Sequence, residues 1–138
     1  MTEIAVNQSH PLKSAAPGRS LTVALWIVRG LLAVAFAGAG VAKLTARPEM
    51  VSLYDTIGVG QWFRDFTGLL ELSGTVAVLV TRTRAIAAGL LMSVMVGAIA
   101  THVLVLHNSP AVPVVLLALA TAVLWSYRAE LRTLLRRG

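Results

Sequence analysis

The sequence predicts an all-α integral membrane protein: an antiparallel four-helix bundle with a short interfacial helix between the first two spanning helices. Composition is the first observation, because 57% of the 138 residues are hydrophobic, only 13% are charged and the mean hydropathy is +0.77. Soluble domains are about 45–50% apolar and about 25% charged. The second observation is four apolar stretches close to the length that crosses a hydrocarbon core about 30 Å thick. A water-soluble enzyme is therefore excluded.

Four segments are predicted to span the membrane, at about residues 21–42, 62–80, 85–106 and 109–127. Arg29 interrupts the first and Glu71 the second, whereas the third contains no Asp, Glu, Lys or Arg. The first segment is retained as a helix and not cleaved as a signal peptide, because it is longer than a signal core and contains Arg29. Short turns join the last three helices, which makes them antiparallel neighbours. Residues 21–138 thus form one membrane domain.

The connecting segments carry their own patterns. Residues 1–20 are polar and broken by Pro and Gly, which predicts a disordered cytoplasmic tail. In the long loop Lys43–Gln61, apolar residues follow Pro48 with the spacing of one helical face. These residues are Met50, Leu53, Tyr54 and Ile57. The spacing predicts a short helix that lies in the membrane interface.

The C-terminal segment is amphipathic. Arg128, Arg132 and Arg136 repeat every four residues. Leu131, Leu134 and Leu135 occupy much of the opposite face. This pattern predicts a helix along the inner leaflet, where its arginines serve either as a topological anchor or as a dock for a cytoplasmic partner.

Positive charges are divided unevenly between the two predicted sides. One side carries Lys13, Arg19, Arg82, Arg84, Arg128, Arg132, Arg136 and Arg137, and the other only Lys43 and Arg47. Cytoplasmic loops carry the excess of Lys and Arg, so both termini are predicted to be cytoplasmic in a multi-pass protein of the cytoplasmic (inner) membrane. The cations form no basic stripe with interleaved aromatics, and nucleic acid is not an expected partner. The absence of cysteine excludes disulfides and thiolate chemistry.

Two charges lie at matching depths in the first two helices. At 1.5 Å per residue, Arg29 is about 12 Å from Leu21, and Glu71 is about 14 Å from Val80. The match predicts an Arg29–Glu71 ion pair, since guanidinium geometry suits a carboxylate. This pair is either a structural contact that sets helix register or part of a site for a polar ligand or proton.

A second group of polar residues is predicted near the outer leaflet. Lys43, Asp65 and His102 reach this level, and with Arg29 and Glu71 they form a candidate ligand or proton pocket. His102 has a second interpretation, as a hydrogen-bonded interhelical residue. No catalytic residue is assigned. No metal is expected, because no Cys or acidic pair completes a ligand set with the histidine.

Three stretches carry a resemblance to a known family. The first is LWIVRGLLAVAFAGAGVAKL, a helix with an internal Arg that ends in Lys. The second is IGVGQWFRDFTGLLELSGTVAVLV, a helix with an early Glu, and the third is the helix end GAIATHVLV. Together they resemble the DoxX-like family of small bacterial membrane proteins over residues 26–105. Arg29, Lys43, Glu71 and His102 match the polar positions of that family.

The resemblance implies a four-helix membrane bundle. The family name derives from the small subunit of a thiosulfate:quinone oxidoreductase. Some members resemble membrane partners of thiol or oxidative-stress enzymes, and a related group assists the maturation of a methylamine-oxidising enzyme. A redox or stress-response protein is therefore one expected partner, beside the lipid bilayer and a second copy of the chain.

Three functions stay open at this point. The first is an accessory or partner-binding subunit with a polar intramembrane pocket and no independent catalytic activity. The second is a membrane subunit of a quinone-linked oxidoreductase, in which Glu71 and His102 handle protons and Trp62 contacts the quinone ring. The third is a small-molecule or lipid carrier. Only the second requires a cofactor, a quinone.

The charge asymmetry predicts which positions face the outside of the cell. Because the chain contains no cysteine, a single cysteine at Ser9 or Ser52 can be labelled without background. We expect an impermeant thiol reagent to label Ser52→Cys in whole cells and Ser9→Cys only after the membrane is opened. Labelling of Ser9→Cys in intact cells would overturn the orientation.

Overall fold

The computed structural model describes residues 18–136, which form six helices and no strand. The helices are α1 (Arg19–Leu44), α2 (Pro48–Ile57), α3 (Gln61–Leu79), α4 (Arg84–Leu104), α5 (Ala111–Ser126) and α6 (Arg128–Leu135). The all-helical prediction is confirmed for this part of the chain. The predicted tail over residues 1–20 lies almost wholly outside the described residues.

α2 is the short helix between the first two long ones. It begins at Pro48, a position where the missing N–H group has no intrahelical partner to lose. It ends before Gly58, whose φ of +79° is the left-handed conformation that favours glycine after a helix. α2 packs against α3, and Tyr54 is its buried residue.

The four long helices contact one another in sequence: α1 packs on α3, α3 on α4, α4 on α5, and α5 returns to α1. α1 and α3 are antiparallel, because Gly40 lies beside Gly68 and the earlier Arg29 lies beside the later Leu79. The core between the helices is apolar. Its most deeply buried members are Leu32, Phe36, Val78, Ala88, Leu91, Ala120 and Val123.

Glycines allow α1 and α3 to approach until their backbones touch. A Cβ atom on Gly40 would lie 2.9 Å from the carbonyl oxygen of Gly68 and 2.9 Å from Cγ of Leu72. A Cβ atom on Gly68 would lie 3.0 Å from Cβ of Lys43. Small residues at helix interfaces have this role in membrane proteins, where close packing replaces the hydrophobic effect between helices.

The outer surface of the long helices is apolar. Val34, Val76 and Val112 are 76%, 65% and 70% exposed. Soluble monomers rarely expose large contiguous apolar patches, so this is the surface of a membrane protein. α1 and α4 are each long and apolar enough to cross a bilayer, as are α5 and α6 taken together. α3 carries three charged residues and does not meet that composition.

α6 departs from the direction of α5 by 62°. Nε of Arg84, at the start of α4, donates to Oε2 of Glu130 at 3.0 Å. The same guanidinium lies over the ring of Tyr127 at 3.6 Å from its centroid. Leu134 and Leu135 remain exposed. Arg84 therefore fixes the bend and leaves the apolar side of α6 uncovered by the described residues.

The close contact of α1 with α3 predicts opposite effects for two neighbouring glycines. Gly40→Ala should destabilise the protein by about 1–3 kcal/mol, because the new methyl group meets backbone that cannot rotate away. Gly38→Ala should be neutral or stabilising by up to about 1 kcal/mol, because its Cβ has open space and alanine favours the helix. Thermal unfolding in detergent measures both. Equal effects of the two substitutions would contradict the close contact.

Candidate functional site at the interface of α1 and α3

A buried ion pair joins the end of α1 to the middle of α3. Nζ of Lys43 donates to both carboxylate oxygens of Glu71, at 2.8 Å to Oε1 and 2.6 Å to Oε2. The side chains are 12% and 3% exposed, respectively. An unpaired charge at this depth is costly, and pairing removes most of that cost. Each residue is therefore the principal electrostatic partner of the other.

Arg64 extends this pair into a cluster. Its Nη1 donates to the backbone carbonyl of Lys43, and its Nε donates to Oε1 of Gln61 at 2.7 Å. Its Nη2 lies 3.0 Å from Oδ1 of Asp65. Arg64 is 7% exposed, whereas the side chain of Asp65 is 53% exposed. Lys43, Arg64, Asp65 and Glu71 make up the α1–α3 charge cluster, with two positive and two negative side chains.

Two hydroxyl groups connect α2 to the α1–α3 charge cluster by hydrogen bonds. The hydroxyl of Thr67 donates to the carbonyl of Arg64 at 3.1 Å, and it lies 2.6 Å from the hydroxyl of Tyr54. Because the proton of Thr67 is committed to that carbonyl, Tyr54 is the donor between the two hydroxyls. Burial raises the pKa of Tyr54 above its usual value, which keeps this donor protonated.

Arg29 has its partners at the opposite end of α3. Its Nε donates to the carbonyl of Val78 at 2.8 Å, and its Nη2 to that of Leu79 at 2.6 Å. The last carbonyls of a helix have no intrahelical donor, and the negative end of the helix dipole favours a cation there. Arg29 is fully buried, and its guanidinium lies 4.2 Å from the ring centroid of Trp26. Within residues 18–136, its Nη1 finds no hydrogen-bond partner.

The two arginines lie at opposite ends of one helix pair, and each donates to the backbone of the neighbouring helix. Arg29 of α1 binds the terminal carbonyls of α3, and Arg64 of α3 binds a terminal carbonyl of α1. A backbone carbonyl left unsatisfied in hydrocarbon costs several kcal/mol. Arg29 thus supplies the donors for the last carbonyls of α3, whereas the carbonyl of Lys43 accepts from the backbone N–H of Ala46 as well as from Arg64.

The predicted Arg29–Glu71 pair is not formed, and the direction of the side chains explains why. Helical side chains tilt towards the N-terminus of their own helix. In an antiparallel pair, Arg29 tilts towards the end of α3 and Glu71 tilts the other way, towards Lys43. Arg29 contacts Leu79 at the C-terminal end of α3. Glu71 precedes Leu79 by eight residues and therefore lies about 12 Å away along the helix axis. The depth estimate went wrong because α1 extends well beyond the end of α3.

The five residues of the predicted pocket lie at three separate places. Lys43 and Glu71 contact each other, and Asp65 joins them through Arg64. Arg29 lies at the other end of α3. Nδ1 of His102, in the last turn of α4, lies 2.5 Å from Oδ1 of Asn108 in the connection to α5. In the described part of the chain, no three His, Cys, Asp or Glu side chains are grouped to hold a metal ion.

Arg64 is the member of the α1–α3 charge cluster that the sequence reasoning left out. It precedes Glu71 by seven residues and Gly68 by four, so all three lie on one face of α3. That spacing was the available signal. The contact with the carbonyl of Lys43 could not be read from it, because this contact depends on where α1 ends.

Trp62 belongs to a different face of α3. It precedes Glu71 by nine residues, which places it about 180° away at 100° per residue. Trp62 is 64% exposed and contacts Phe63 and Phe66, with ring centroids 5.7 and 6.4 Å away. A molecule resting on this aromatic surface is separated from Glu71 by the body of the helix.

Comparison with protein families finds one match. The model of the DoxX-like family matches residues 27–123, well over half of the chain. The matched segment includes all four residues of the α1–α3 charge cluster, together with Arg29 and His102. Comparisons with curated proteins and with solved structures found no match.

The observed contacts predict which double substitutions interact. Lys43→Met or Glu71→Gln alone should lower the free energy of unfolding by about 3–5 kcal/mol, because each leaves a buried group without its partner. Lys43→Met combined with Glu71→Leu should recover most of that loss, since an apolar pair removes both buried charges. Arg29→Gln combined with Glu71→Gln should give additive losses, because the two residues share no partner. Unfolding in detergent measures all of these variants; strong coupling of Arg29 to Glu71 would refute the assignment.

Proposed function

We propose that this chain, which belongs to the DoxX-like family, is an accessory subunit of the cytoplasmic membrane that binds a partner protein and performs no chemistry of its own. The observation that carries the proposal is the α1–α3 charge cluster. Its side chains are occupied by one another and by backbone carbonyls. A general acid or base must reach the proton that it transfers, whereas Glu71 is buried against Lys43.

In this proposal α1, α3, α4 and α5 cross the bilayer as an antiparallel four-helix bundle. α3 is included although it carries three charges, because Arg64 and Glu71 are turned into the protein and paired there. Its outward side is apolar, with Leu69 and Val76 exposed. Its 19 residues extend about 28 Å, close to the thickness of a hydrocarbon core.

The distribution of Lys and Arg residues between the two ends of the bundle supports cytoplasmic termini. The end of the bundle where α1 and α4 begin and α5 ends carries Arg19, Arg82, Arg84, Arg128 and Arg132. The other end carries Lys43, Arg47 and Arg64. The larger number of Lys and Arg residues at the first end agrees with the positive-inside rule, which counts these residues and not net charge.

A quinone-linked oxidoreductase subunit is the second candidate, and a small-molecule or lipid carrier the third. The quinone interpretation needs Trp62 and a proton-handling group on the same side of the protein. Trp62 and Glu71 lie on opposite faces of α3, and His102 contacts Asn108. This separation favours the accessory role over a quinone site built from these residues.

The accessory role predicts that the buried ion pair serves stability and not turnover, so that an apolar pair can replace it. The Lys43→Met, Glu71→Leu double variant should recover its partner protein from native membranes as fully as the unaltered chain. The complex containing it should retain the activity of the partner. A variant that folds and keeps its partner but abolishes the activity of the complex would return Glu71 to a proton-handling role.

The quinone alternative has its own measurement. Quinone extracted from the purified protein should be substoichiometric and unchanged by Trp62→Ala. Trp125→Ala, another exposed tryptophan on the membrane surface, is the matched control. One quinone per chain that is lost with Trp62→Ala and retained with Trp125→Ala would favour the oxidoreductase subunit instead.

A further inference from the structure

An open groove lies at the arginine-rich end of the bundle, where the start of α1 meets the bend between α5 and α6. It has a volume of about 560 Å³. Leu21, Thr22 and Leu25 of α1 form one side, and Arg84 and the segment 125–129 form the other. This space is the bend groove. Its volume lies within the range of small-ligand sites. The groove is therefore large enough for the headgroup of a lipid and the first part of its acyl chains.

The two sides of the bend groove differ in polarity. Leu21 and Leu25 are aliphatic, and Leu21 and Trp125 are 50% and 68% exposed at its edge. The opposite side presents the hydroxyl-bearing Ser126 and two guanidinium groups. A groove with an aliphatic side and a cationic side matches an amphiphile better than a fully polar anion.

Arg128 is the cation that remains open to a ligand. Its guanidinium lies 4.3 Å from the ring centroid of Trp125, and its Nη1 donates to the carbonyl of Trp125 at 3.3 Å. These contacts orient the side chain without neutralising it. Along the chain from residue 18 to residue 136, no carboxylate forms an ion pair with Arg128.

Arg84 lies on the same side of the bend groove as Arg128. The carboxylate of Glu130 forms an ion pair with Arg84, and the ring of Tyr127 stacks against the guanidinium group of Arg84. Two arginines and one glutamate at this bend leave one positive charge in excess. A planar guanidinium pairs with a phosphate group through two parallel hydrogen bonds.

We infer that the bend groove binds an anionic phospholipid of the inner leaflet. The phosphate lies at Arg128, and the first part of an acyl chain lies along Leu21 and Leu25. The excess positive charge favours an anionic lipid over a zwitterionic one, whose ammonium group gains nothing there. The assignment to the inner leaflet rests on the proposed orientation, which places this end of the bundle at the cytoplasmic face.

Lipid selectivity of the full-length protein tests the inference. The purified, delipidated chain is offered equal amounts of phosphatidylglycerol and phosphatidylcholine in detergent, and bound lipid is counted by native mass spectrometry. We expect a preference for phosphatidylglycerol that Arg128→Gln lowers about fivefold, since an arginine at an anionic surface contributes about 1 kcal/mol. Arg128→Lys should retain part of the preference, because it keeps the charge and loses the planar fork.

The matched control is Arg136→Gln, which removes the same charge two helical turns further on and outside the bend groove. Equal losses for Arg128→Gln and Arg136→Gln would overturn the inference, because they indicate diffuse surface charge. Equal binding of the two lipids would also overturn it. So would displacement of the lipid by excess inorganic phosphate, which would identify a site for a soluble anion.

The topology measurement keeps this inference separate from the proposed function. If labelling places this end outside the cell while phosphatidylglycerol is still preferred, the orientation fails and the lipid selectivity stands. If labelling confirms cytoplasmic termini and the preference is missing, the lipid site alone fails. Circular dichroism of each variant checks that helix content is unchanged.

Discussion

The structure depends on the close contact between α1 and α3. Where these helices cross, Gly40 and Gly68 have no side chains, so the backbones approach closely enough for Lys43 to reach Glu71 across the interface. Without that approach each residue would leave an isolated charge in an apolar environment. The glycines and the ion pair are therefore one device: the first sets the distance that the second requires.

The same helix pair also provides hydrogen-bond donors for the carbonyl groups at its helix ends. The last turn of a helix leaves carbonyl groups without intrahelical donors, and burial removes water as an alternative partner. Arg29 reaches across from α1 to two such carbonyls of α3, and Arg64 adds a donor to the carbonyl of Lys43, which also accepts from the backbone N–H of Ala46. An arginine suits this task because its several donors address carbonyls from one planar group, while its charge complements the negative end of the helix dipole.

The two ends of the bundle use positive charge in different ways. Towards the α1–α2 connection, Lys43 and Arg64 are tied to carboxylates and contribute to stability. At the bend between α5 and α6, Arg84 holds the bend through Glu130, whereas Arg128 stays open beside an aromatic ring. Charge that is consumed internally is structural. The exposed charge of Arg128 beside an apolar groove is available to bind a lipid or a partner protein.

Much of this protein was determined by the sequence alone. Composition and the length of the apolar runs fix the all-helical membrane class, and the spacing after Pro48 places α2, because these properties are local to each segment. The partners of the buried charges were decided only by the tertiary structure. Arg29 and Glu71 lie at similar counted depths, yet α1 extends beyond α3 and their side chains tilt in opposite directions, so Glu71 contacts Lys43. Helix offset and side-chain direction across an interface belong to the pair of helices, and neither helix encodes them by itself.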